Sequence, residues 1–114
     1  MTFLMVLKII AAVGTAGTGL LALVKPDAVY GFTGLLAKGA RGISEIRSIF
    51  GGLFIGLGIA PLILKSNAAY RMLGIGYLAI AAARLFSMIF DKSYDSSNII
   101  SLAIEIVFGI ILVI

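Results

Sequence analysis

The stretch SEIRSIFGGLFIGLGIAPLIL, Ser44 to Leu64, decides the fold of this chain. From Ser48 to Leu64 it contains no ionisable side chain, and its length matches the roughly 20 residues needed to cross a bilayer. Ser44 has the chemistry of a helix N-cap. Glu45 would then fall in the first turn, where the helix dipole favours an anion, and Pro61 in the last. One Arg or Asp at the centre of a membrane helix costs about 2.5–3.5 kcal/mol, so charges in such a segment usually mark a site. Glu45 and Arg47 are therefore the first residues to follow outward.

Three further apolar stretches resemble this one. Phe3 to Val24 is interrupted only by Lys8, whose ammonium is expected to extend back to the interface. Lys25-Pro26 stops it, because the residue before a proline is disfavoured in helix. The stretch is too long for the apolar core of a signal peptide and has no convincing cleavage site, so it reads as a retained helix. Ala69 to Phe90 forms the third span and Asn98 to Ile114 the fourth, which at 1.5 Å per residue covers about 25 Å. Lys65-Ser66-Asn67 and the polar run Asp91 to Ser97 are the connections between them.

Composition agrees. Of 114 residues 61% are hydrophobic and 12% charged, against about 25% charged in a soluble domain. The mean hydropathy is +1.19. A soluble protein this small could not hide so much apolar surface. The expected fold is an all-α integral membrane protein: one domain over residues 1–114, an antiparallel bundle of four transmembrane helices with both termini on one side. The long connection Lys25 to Ile43 is expected to hold a short interfacial helix, with Pro26 in its first turn and Tyr30 and Phe32 at headgroup depth. Lys8, Lys65 and Arg71 on one side against Lys25, Lys38, Arg41 and Lys92 on the other do not decide orientation.

The chain has no Cys and no His. This excludes a disulfide framework, thiolate or imidazole metal sites, and Cys- or Ser-His-type nucleophilic catalysis. No metal, cofactor or catalytic residue is assigned. The net charge of +4 is spread over flanks and loops, without the basic stripe that nucleic acid would require.

Four charges in or against the spans form the candidate polar network: Glu45, Arg47, Arg84 and Glu105. Arg84 lies about 9 Å inside the end of the third helix and Glu105 about 10 Å inside the start of the fourth. Antiparallel neighbours therefore bring them to matching depth, and an ion pair is expected. Glu45 and Arg47, two residues apart, point to different neighbours, and one of them is expected to join that pair. Ser48, Ser87 and Ser101 stand within a turn of these charges and are expected to line the same pocket. Gly51 and the spacing Gly52-x-x-x-Gly56 suit close helix packing, as do Gly14, Gly17 and Gly19 in the first span. The remaining half of each helix is expected to be bare of ionisable groups.

The motif Ser44-Glu45-Ile46-Arg47-Ser48-Ile49-Phe50-Gly51-Gly52, followed by Ala83-Arg84-Leu85 and Glu105-Ile106, resembles the domain-of-unknown-function family 4345. The resemblance covers most of the chain. It implies a small four-helix bacterial membrane protein, in the inner membrane or its equivalent, and marks Glu45, Arg47, Gly51, Gly52, Arg84 and Glu105. It implies no activity. Where the family usually carries Tyr, this chain has Phe50, which lacks a hydroxyl that could join the network.

Three functions follow as expectations. The leading one is a non-enzymatic interaction protein: an accessory subunit of a larger membrane assembly, or a homo-oligomer. The second is a binder or carrier of a lipid, quinone or other amphiphile, its polar end held by Arg84 and Glu105. The third is an enzyme with Glu45 or Glu105 as acid–base, which a neighbouring arginine disfavours by keeping the carboxylate charged. Beside all three stands a structural reading, in which the charges lock helix register.

Overall fold

The computed structural model describes residues 2–114. Its helices are α1 (Phe3–Val24), α2 (Val29–Thr33), α3 (Gly39–Leu64), α4 (Asn67–Phe90) and α5 (Ser96–Val113), with a 3₁₀ turn at Pro26–Ala28. No strand occurs among the described residues. Among the described residues four helices, α1, α3, α4 and α5, are long and apolar enough to cross a membrane.

Local chemistry sets most of the boundaries. The Thr2 hydroxyl accepts from the Met5 N–H at 3.1 Å and caps α1, which ends at the residue before Lys25-Pro26. Pro26 opens the 3₁₀ turn, where its missing N–H costs nothing. Gly34 ends α2 at φ +73°, a left-handed conformation that a Cβ would oppose.

The start of α3 differs from the sequence reading. Ser44 is not its N-cap: the helix already begins at Gly39, with Lys38 as the extended residue before it. Glu45 thus closes the seven-residue segment Gly39–Glu45 instead of lying in a first turn. Gly42, a weak helix former, does not interrupt the turn from Gly39 to Ser44, so a good cap residue was passed over. From Ile46 to Leu53 the helix widens to π geometry. Ile46 and Gly51, five residues apart, are both buried. An α-helix would splay them by about 140°, and the wider turn brings them toward one face.

The helices pack antiparallel in chain order. On the α1–α3 seam Leu23 meets Gly51, and Ala12 and Ala16 meet Gly58. A Cβ on Gly58 would come within 2.5 Å of the Ala16 backbone nitrogen, so only glycine permits this approach. On the α4–α5 seam Gly74 meets Leu112 and Val113, while Leu78 meets Gly109. These two pairs hold the densest packing, and the pairs touch each other more sparsely. Ala11, Ala12, Tyr70, Leu73 and Leu112 form the main core. A second cluster of Ala22, Val29 and Ile46 ties α2 to the end of the bundle, leaving Tyr30 and Phe32 exposed.

Lys8 also departs from expectation. It is only 4% exposed, so its stem lies inside the bundle and not along the outer surface. The half of the molecule near the termini is therefore not bare of buried ionisable groups.

Candidate functional site

The site grows from a seven-residue repeat on the inward faces. Tyr70, Tyr77 and Arg84 follow at this spacing on α4, and Asn98, Glu105 and Leu112 on α5. Two helical turns separate successive members, so each set stays near one face. Antiparallel packing then lays Arg84 against both Asn98 and Glu105.

Arg84 holds the centre. Its Nε donates to Glu105 Oε1 at 2.8 Å and its Nη2 to Glu105 Oε2 at 2.7 Å. This is the planar, bidentate fit for which guanidinium is suited. Arg84 Nη1 donates to Asn98 Oδ1 at 2.8 Å. The Asn98 amide nitrogen donates in turn to the carbonyl and the hydroxyl of Ser93, each at 3.0 Å. One chain of hydrogen bonds thus runs from the α4–α5 turn to Glu105, which is 8% exposed. Both carboxylate oxygens and all three guanidinium nitrogens are engaged.

Deeper in the bundle, the Thr15 hydroxyl of α1 hydrogen-bonds the Tyr77 hydroxyl of α4 and also donates to the Ala11 carbonyl at 2.8 Å. Thr15 has one proton, and giving it to Ala11 leaves Tyr77 as the donor between the hydroxyls. The Tyr77 ring packs edge-on against Phe108 of α5, their centroids 5.6 Å apart. Tyr77 therefore joins three helices.

The remaining candidate residues lie elsewhere. Glu45 pairs with Arg41, one turn back on α3, and both are exposed. Arg47 is exposed and has no ion-pair partner among the described residues. Neither enters the Arg84–Glu105 pair. The four charges expected in one network fall into three arrangements: Arg84 with Glu105, Glu45 with Arg41, and Arg47 exposed outside both pairs. Ser87 donates to Asp91 at 2.7 Å, not to Arg84. Ser101 is half-buried, and Ser48 is exposed. Of the glycines, Gly51 packs against Leu23 as expected. Gly52 and Gly56 do not pack within the chain: a Cβ on Gly52 would meet only the Arg47 carbonyl, at 3.9 Å, and one on Gly56 nothing within 4 Å. Gly17 is similarly open.

Sequence reasoning passed over Asn98, Thr15 and Tyr77. In the sequence Asn98 marks only the start of the fourth span, and neither Thr15 nor Tyr77 carries a charge that would draw notice. Their seven-residue spacing from Glu105 and Arg84 was the available signal.

Fold and site together define a small all-helical protein with four candidate membrane spans and a buried, fully engaged Arg–Glu pair. The chain belongs to the family described as Domain of unknown function (DUF4345), whose model matches residues 3–114. No curated protein and no solved structure matches the chain.

Proposed function

We propose that this is a multi-pass membrane protein that works by contact and not by catalysis, as an interaction protein or accessory subunit of a membrane assembly. In this reading α1, α3, α4 and α5 cross the bilayer, both termini lie on one side, and α2 rests at the interface. The membrane is the bacterial inner membrane or its equivalent. The Arg84–Glu105 pair is an internal lock between α4 and α5.

The observation that carries this reading is the contrast between a closed interior and an open α3. Every oxygen of Glu105 and every guanidinium nitrogen of Arg84 already has a partner inside the chain. A general acid–base needs a site within hydrogen-bond reach of its substrate, and the Glu105 carboxylate, which is buried, already uses both oxygens on Arg84. On α3, by contrast, Arg47, Ser48, Gly52 and Gly56 are all exposed. Small residues on a lipid-facing helix allow the close backbone approach by which membrane helices associate.

The test is the mass of the protein purified in mild detergent. An oligomer or a stoichiometric complex is expected, and Gly56→Leu should dissociate it while leaving the fold intact, since a side chain there meets open space. A stable lone monomer with no co-purifying partner would count strongly against the proposal.

A further inference from the structure

The segment from Gly34 to Gly39 is a strap. Both glycines have left-handed backbone, φ +73° and +76°, and between them the chain runs without regular structure from the end of α2 to the start of α3. Beneath it lies a groove of about 300 Å³. Leu35 and Leu36 of the strap form one wall, and Ile46, Ile49 and Phe50 of α3 the other. The volume stands at the lower end of the range for small-molecule sites.

The charges at its rim differ in availability. Glu45 lines the groove but is already paired with Arg41. Lys38 also lines it, is exposed, and forms no ion pair among the described residues. The uncompensated charge at the groove is therefore positive. Its apolar walls include Leu36, 72% exposed, and Ile49, 47% exposed. Such area gains most from cover by hydrocarbon.

The position along the fold matches this chemistry. The groove sits where the charged opening turns of α3 give way to its apolar run, at the end of the bundle that carries Lys25 and the α4–α5 turn. For a chain that crosses a bilayer this is the depth at which phosphates meet acyl chains. Arg84 and Glu105 already bond each other and Asn98, and Glu105 is buried, so they are poorly placed to hold a head group.

We infer that the groove under the 34–39 strap seats one anionic phospholipid, its acyl chain along Leu35, Leu36, Ile49 and Phe50 and its phosphate against Lys38. This rests on the membrane crossing proposed above but goes beyond the contact role: a monomer could bind the lipid, and an assembly could form without it.

The experiment is native mass spectrometry of the full chain reconstituted in nanodiscs of equal phosphatidylglycerol and phosphatidylcholine, then released stepwise from lipid. One phosphatidylglycerol per chain should be retained in preference to phosphatidylcholine. Lys38→Gln should lower that occupancy about five-fold, the worth of one lysine near an anionic surface. Leu36→Ser, at an exposed position, should lower it without selecting between head groups. Equal retention of the two lipids, or of neither, would overturn the inference. So would displacement of the lipid by millimolar inorganic phosphate with no effect of Leu36→Ser, which would mark a simple anion site.

Discussion

Two guanidinium–carboxylate pairs stand among the described residues, and they differ in nearly every respect that matters. Arg84 and Glu105 come from different helices, 21 residues apart, and meet in a bidentate pair that Asn98 completes. Their side chains are 30% and 10% exposed. Arg41 and Glu45 belong to adjacent turns of α3, and their side chains are 79% and 55% exposed. The first pair fixes how two helices sit against each other. The second joins residues that one helix already holds together, so it constrains nothing tertiary. Burial and sequence separation, not the identity of the charges, set what a pair can do.

The comparison breaks most sharply at Glu105. Glu105→Ala leaves Arg84 charged and half-buried without its carboxylate, and should destabilise the fold by about 3–5 kcal/mol. Unfolding followed by helical content in mixed micelles would measure this. Replacing both partners by apolar residues, Arg84→Met with Glu105→Leu, should recover most of the loss, because no buried charge then remains unpaired. If the single and the double variant unfold alike, the loss does not come from an unpaired buried charge and this account of the pair fails.

A smaller effect is expected one step out along the network. Asn98→Ala removes the acceptor for Arg84 Nη1 and the link to Ser93, a loss of about 1.5–3 kcal/mol for a hydrogen bond to a charged group. The same unfolding titration reads it. An equal loss in the Glu105→Ala background would show that Asn98 acts independently of the pair.

The least effect belongs to α3. Glu45→Ala should change stability by about 0–1 kcal/mol, the usual worth of an exposed ion pair. A loss as large as that at Glu105 would mean that the Glu45 carboxylate is engaged with something besides Arg41, and would erase the contrast between the two pairs.

The helices themselves were legible because hydrophobic length is a local property. Each span declares itself by its apolar run, and α1 and α4 lie within two residues of where composition, Pro26 and the polar turns put them. The Arg84–Glu105 pair was legible for a related reason: rise per residue and antiparallel alternation fix depth. What depth does not fix is rotation about the helix axis. Glu45 and Arg47 share an end of the bundle with Arg84, yet both are exposed and neither bonds to it. The π segment at Ile46–Leu53 contributes here, since each wide turn changes which residues face inward. Gly52 and Gly56 were misplaced through the same uncertainty, while Gly51 was not.

The sequence alone therefore determined that this chain is all-helical, where its four apolar spans lie apart from the start of α3, and which two charges reach a common depth. Those features follow from local hydrophobicity and from a fixed rise of 1.5 Å per residue. Only the tertiary structure decided that Asn98 completes the pair, that Thr15 and Tyr77 join three helices, that Lys8 is covered, and that α3 keeps its charges and open glycines outside. Helix rotation and close approach are set by the packing of every neighbour at once, and no single segment carries that information.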